Sequence, residues 1–88
     1  MPVPYFTPIT EINYTNNTTV NTSTYVRVYN GYTTSHLIAI IDPVTTVTIG
    51  SFTLGIDKDA FVKKEPAHQI NVAAATGATS VRLTGVYF

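Results

Sequence analysis

The stretch Tyr25-Val26-Arg27-Val28-Tyr29-Asn30-Gly31 decides the fold class. Valines alternating with aromatic or long side chains predict a strand, with Val26 and Val28 on one face and Tyr25, Arg27 and Tyr29 on the other. Asn30-Gly31 is a favoured turn pair and ends it. Working outward, His36 to Ile41 is apolar on both faces, as suits a central strand, and Asp42-Pro43 stops it. Val44 to Thr53 alternates again, Val47 and Ile49 projecting opposite Thr46 and Thr48, with Gly50 as a candidate bulge. Leu54 to Asp59 reads as a turn and Ala60 to Lys64 as a strand ended by Pro66. Gln69 to Ala74 is a short strand, Thr76-Gly77-Ala78 a turn, and Ser80 to Phe88 the closing strand. There Val81 and Leu83 share a face, and Val86 and Phe88 follow after a shift expected at Gly85.

No window of a dozen residues shows capped helical periodicity. Only the alanine run Val72-Ala73-Ala74-Ala75 offers a competing single helical turn. Strands at this spacing with turns between them predict an all-β fold, a small antiparallel β-sandwich or partly open barrel of about six or seven strands. The first 24 residues differ. Three prolines in the first eight positions exclude a helix or regular central strand. Residues 1–8 therefore read as an extended arm, Ile9 to Tyr14 as a short first strand, and residues 15–24, nearly all Asn, Thr and Ser, as a loop or edge strand. The expected division is arm and loop over 1–24 and β-sandwich domain over 25–88.

At 88 residues the chain has room for one core, and it has no cysteine to staple it. A chain this short buries roughly 60–65% of its unfolded surface, so association with copies of itself or a larger body is the expected source of further stability. Only 11% of residues are charged, five of each sign, against 44% hydrophobic. Zero net charge argues against nucleic acid as a partner, which needs a clustered positive field. The amino terminus lacks the basic start and apolar core of a signal peptide, and Leu37 to Ile41 is far too short to span a membrane. The Asn-X-Thr/Ser triplets at Asn13, Asn16, Asn17 and Asn21 follow from composition, and glycosylation is not expected.

Residues of the types that carry chemistry are few. His36 and His68, the only histidines, lack a local ligand set or a nucleophile and orienting carboxylate. Asp57-Lys58-Asp59 lacks the central Gly, distal Glu and flanking helices of a calcium loop and reads as a solvated turn. Lys63-Lys64-Glu65-Pro66 is too small for a phosphate-binding patch and reads as an edge strand guarded by lysines. Glu11, Asp42, Asp57, Asp59 and Glu65 show no local acid/base pairing. No catalytic, metal or cofactor site is expected, and the chain is read as a non-enzyme. The six tyrosines and four phenylalanines divide between core and protein contact, where Tyr is enriched.

Thr48-Ile49-Gly50-Ser51-Phe52-Thr53-Leu54 through Phe61-Val62-Lys63-Lys64-Glu65-Pro66, with the closing Val81 to Phe88, resembles small virion structural proteins of tailed bacteriophages of the marine cyanophage type. The resemblance covers roughly residues 25–88. It implies a virion location after assembly in the host cytoplasm, and the role of a capsid decoration (cement) protein binding the major capsid protein or other virion proteins. A multi-copy or homo-oligomeric state follows, with neither membrane nor nucleic acid as partner. The apolar arm and the chain end then supply the expected partner-binding residues: Pro4, Tyr5, Phe6, Pro8, Tyr87 and Phe88. Alternatives are a neck, tail or fibre-associated virion protein, or a host-surface or carbohydrate-binding β module.

Overall fold

Alternation in Tyr25–Asn30 translates directly into burial: Val26, Val28 and Asn30 are buried and the residues between them half-buried. This strand, β3, is the centre around which eight strands arrange as two antiparallel sheets. The computed structural model describes residues 7–73 and 77–87. In chain order β1 is Thr7–Pro8, β2 Ile12–Asn13, β4 His36–Ile41, β5 Thr48–Leu54, β6 Asp59–Lys63, β7 Gln69–Val72 and β8 Val81–Tyr87. One sheet has five strands, in the order β1-β8-β3-β6, with β2 also paired to β8. The other runs β5-β4-β7, so His36 to Ile41 is a central strand as its two apolar faces require.

The sheets stack through apolar inner faces. Val26, Val28, Val81 and Leu83 from the first meet Ile38, Leu54, Ile70 and Val72 from the second. The chain crosses between sheets after β3, β5, β6 and β7, and only β4–β5 is a hairpin within one sheet. The strand ends at Asn30-Gly31 as expected, but the chain then crosses to the other sheet, so the pair makes no hairpin. Asn30 extends β3 and is fully buried, its Nδ2 donating to the carbonyls of Thr34 (2.8 Å) and Leu54 (3.1 Å). Its Oδ1 accepts from the Tyr32 N–H at 3.0 Å. A buried amide satisfied on both ends secures the crossover, and this requirement outranks the local turn preference.

Gly50 does sit at a bulge: Ile40 opposes Gly50 but Ile41 opposes Thr48, leaving Ile49 as the extra residue. The shift expected at Gly85 falls elsewhere. β8 runs against β3 in unbroken register from Val81 to Val86. On its other side, Pro8 opposes Val86 and Ile12 opposes Leu83, so residues 9–11 face only Thr84 and Gly85. The irregularity thus lies in the amino-terminal segment: of the strand expected over Ile9 to Tyr14 only Ile12–Asn13 pairs, as β2, while β1 falls at the end of the stretch expected to be an extended arm. Pro8 is tolerated because β1 lies at a sheet edge.

The Asn/Thr-rich segment is not an appendage. Tyr14 and Val20 join the core, and the backbone of Thr18 bonds Ile70 in both directions, N–H to carbonyl at 3.3 and 2.7 Å. Val20, Asn21 and Thr22 all have left-handed backbones (φ 51, 58 and 55°), which turns the chain so that the Val20 side chain points inward. Gly85 makes this close approach possible, since a Cβ there would overlap Ser23 Oγ and stand 3.2 Å from the Val20 carbonyl. Val72 lies in β7, and the Ala73 N–H bonds the Leu37 carbonyl at 2.9 Å, so the helical alternative fails for both. Ala74 and Ala75 are outside the described residues.

Candidate functional site

The register of β8, β3 and β6 builds a three-by-three grid on the outer face of the five-stranded sheet. Its rows are Val86–Tyr25–Lys63, Thr84–Arg27–Phe61 and Arg82–Tyr29–Asp59. The Arg27 Nε donates to Asp59 Oδ2 at 3.0 Å, and its guanidinium lies 5.5 Å from the Tyr29 ring centroid. The Lys63 ammonium stands 6.0 Å from the Tyr25 ring centroid, and Arg82 reaches Glu11 at 3.7 Å. The Tyr29 hydroxyl donates to Asp57 Oδ1 at 3.2 Å. That hydrogen bond, and the carboxylate charge beside it, raise the Tyr29 pKa. These contacts, all at the solvent-exposed surface, orient the long side chains along the sheet. Phe61 stands 54% exposed in the middle row.

Both carboxylates of the Asp57-Lys58-Asp59 turn are thus spent on this face. The two basic residues after them part company. Lys63 guards β6, an edge strand, as expected, but Lys64 is buried. Its Nζ donates to the carbonyls of Ser23 (2.6 Å), Glu65 (3.3 Å) and Pro66 (3.3 Å). Three donors meeting three backbone acceptors make a clamp joining the Asn/Thr loop to the β6–β7 turn. Burial pulls its pKa below the ordinary lysine range. Lys63, Lys64 and His68 line a cleft of about 580 Å³ with Ile40 and Ile49. An amine acting there as a nucleophile needs a free lone pair directed at substrate, whereas the Lys64 amine is committed to carbonyls.

His36 is buried, with the Tyr32 ring edge-on at 5.9 Å. His68 lies in the turn after β6, its N–H bonded to the Glu65 carbonyl at 3.0 Å. Among the described residues no group of three His, Asp or Glu is placed to hold a metal ion. Nor, among the described residues, is any helix long and apolar enough to cross a membrane.

Of the partner-binding residues expected, Pro4, Tyr5, Phe6 and Phe88 lie outside the described residues. Pro8 and Tyr87 are brought together, both exposed, where Thr7 opposes Tyr87 and Pro8 opposes Val86. Beside them Ile9, Asn21 to Tyr25, Val86 and Tyr87 line a second cleft of about 430 Å³. Sequence reasoning missed Phe61 and the exposed Val44, Val47 and Ile49. Alternation of Tyr25, Arg27 and Tyr29 was visible, but their neighbours on β6 and β8 depend on non-local register. No family model, curated protein or solved structure matches the chain.

Proposed function

We propose that this protein is a non-enzymatic structural component of a phage virion, a decoration protein that seats on neighbouring major capsid subunits. The observation that carries the binding role is the outer face of the five-stranded sheet, where Tyr25, Tyr29 and Phe61 interleave with Arg27, Arg82 and Lys63. Tyr, Phe and Arg are the residues enriched at protein interfaces, and truncating Tyr or Arg there most often costs binding energy. The virion context comes from the resemblance of residues 25–88 to small phage structural proteins. The commitment of Lys64 to backbone carbonyls supports the non-enzymatic reading.

Quantitative mass spectrometry of purified particles tests the role. A ratio to the major capsid protein near one, or a simple fraction of it, supports decoration. About a dozen copies or fewer moves the protein to the neck or tail, and absence from particles overturns the virion role. Phe61→Ala is then expected to weaken particle binding by more than tenfold, the loss typical of a central aromatic anchor at about 2 kcal/mol.

A further inference from the structure

Each exposed sheet edge in a soluble protein needs protection against pairing, and three of the four edges here have it. β1 and β2 are two residues each. β6 carries Asp59 and Lys63. β7 is covered by Thr18, which takes both hydrogen bonds of Ile70. The seven-residue β5 has β4 on one side and no strand on the other among the described residues. From Val44 to Ile56 there is neither a charge nor a proline. β4 and β7 are likewise without Asp, Glu, Lys or Arg, so the whole three-stranded sheet is uncharged. Val47 and Ile49 lie 57% and 54% exposed at the start of this edge.

We infer that the β5 edge pairs with β5 of a second copy, antiparallel about a two-fold axis, joining two three-stranded sheets into one of six. Charge favours this occupant. A two-fold axis brings a surface against itself, which sets like charges near one another wherever the surface is charged. None lies on β5 itself, Lys63 and Glu65 in the cleft beside Ile49 and Gly50 are of opposite sign, and the zero net charge of the chain removes long-range repulsion as well. An acidic or basic partner strand finds no counter-charge on β5.

The area sets the strength. Seven residues at about 3.4 Å each give a strip about 24 Å long. A strip about 10 Å wide then buries on the order of 500 Å² over both copies, well short of the roughly 1,200 Å² of a stable interface. The pairing is accordingly weak in dilute solution and populated where copies are concentrated. The bulge at Ile49–Gly50 leaves Gly50 to Leu54 as the regular segment, so the axis passes at Ser51 or Phe52. The inference is independent of the virion role and is tested on purified protein.

The absence of cysteine makes single-cysteine variants clean reporters. Ser51 and Thr53 are exposed on the outer face, and Thr79, also exposed and in the turn between β7 and β8, serves as the control. With the axis at Ser51, Ser51→Cys is expected to form disulfide dimers at least tenfold faster than Thr79→Cys. With the axis at Phe52, a mixture of Ser51→Cys and Thr53→Cys gives that enrichment. Adding Ile49→Lys should abolish it, while thermal melts confirm that each variant remains folded. Linking no faster than Thr79→Cys in both cases, with monomers by sedimentation equilibrium, overturns the inference and hands the edge to a strand of another protein.

Discussion

Gly85→Ala is expected to destabilise the protein by about 1–2 kcal/mol, and Ser23→Ala to suppress most of that loss. Glycine in a strand costs roughly 0.5–1 kcal/mol relative to alanine, so replacing it is by itself favourable. The new methyl, however, would overlap Ser23 Oγ and stand 3.1 Å from Ser23 Cβ and 3.2 Å from the Val20 carbonyl. Overpacking of this kind costs about 1–3 kcal/mol, which exceeds the gain. The loop has little room to retreat, because Val20 is fully buried and the Ser23 N–H bonds the Val20 carbonyl at 3.2 Å. Ser23 Oγ is buried without a hydrogen-bond partner, so removing it leaves nothing unpaired. Ser23→Ala alone should then be neutral or stabilising by up to about 1 kcal/mol, the desolvation cost of a buried hydroxyl being relieved. In the double variant the overlap is gone and only a few tenths of an ångström of adjustment around Ser23 Cβ remain. Urea denaturation of the four proteins gives the coupling energy, expected to be at least about 1 kcal/mol, or about 4–8 °C in Tm for a domain this size. Additive effects within about 0.5 kcal/mol would falsify the claim that Gly85 exists to admit Ser23.

The Lys64 pKa lies below its unfolded value of 10.5, so between the two the unfolded chain binds the extra proton. Stability from this group is therefore present above pH 10.5 and lost as pH falls through the folded value; Lys64→Met should flatten that slope in pH-dependent urea melts while costing about 1–3 kcal/mol through the unpaired Ser23 carbonyl. Tyr29 acts in the opposite sense: its pKa is raised from 10.0, so stability is present below pH 10 and falls as pH rises through the folded value. Tyr29→Phe should remove that fall, as read by ultraviolet tyrosinate titration beside the melts. Val20→Ala deletes two fully buried methyl groups and should cost about 1.5–3 kcal/mol by chemical denaturation, a loss that a solvated loop would not show. Thr46 is exposed in the β4–β5 turn with φ 58°, so Thr46→Gly should raise stability by about 0.5–1 kcal/mol in a thermal melt.

What could be read in advance was whatever depends on neighbours in sequence. The faces of β3, the central position of His36 to Ile41 and the Gly50 bulge all follow from alternation and local breaks. Asn30-Gly31 marked the end of β3 correctly, but the role of the buried amide was hidden, because it serves Leu54, which lies 24 residues away. The count of six or seven strands became eight because Thr7–Pro8, read as part of the arm, pairs with Tyr87 and Val86 of β8. Val20 was hidden in a run of threonine and asparagine, where composition says loop and only the fold says core. The aromatic face was half legible: Tyr25, Arg27 and Tyr29 align by period two, but Phe61 joins them through the Arg27–Phe61 register, a separation of 34 residues. Lys63 and Lys64 look alike in sequence; strand alternation sends one to water and the other to three carbonyls.

The distribution of charge separates two kinds of surface in one small domain. Every Asp, Glu, Lys and Arg lies in the five-stranded sheet or in a loop, and β4, β5 and β7 have none. On the charged sheet, ion pairs and cation–ring contacts order the side chains, so a partner docking there as proposed would have to match a particular pattern of donors, acceptors and rings. On the uncharged sheet the free edge offers mainly backbone hydrogen bonds, which reward strand geometry with little regard to side-chain identity. Docking through the first surface, as proposed, would raise the local concentration of copies, and the weak edge pairing inferred for β5 would become significant once copies are held close. A domain that presented only the neutral edge would aggregate, and one that presented only the patterned face would bind singly. Together they suit a protein that first seats on a larger body and then links to its neighbours.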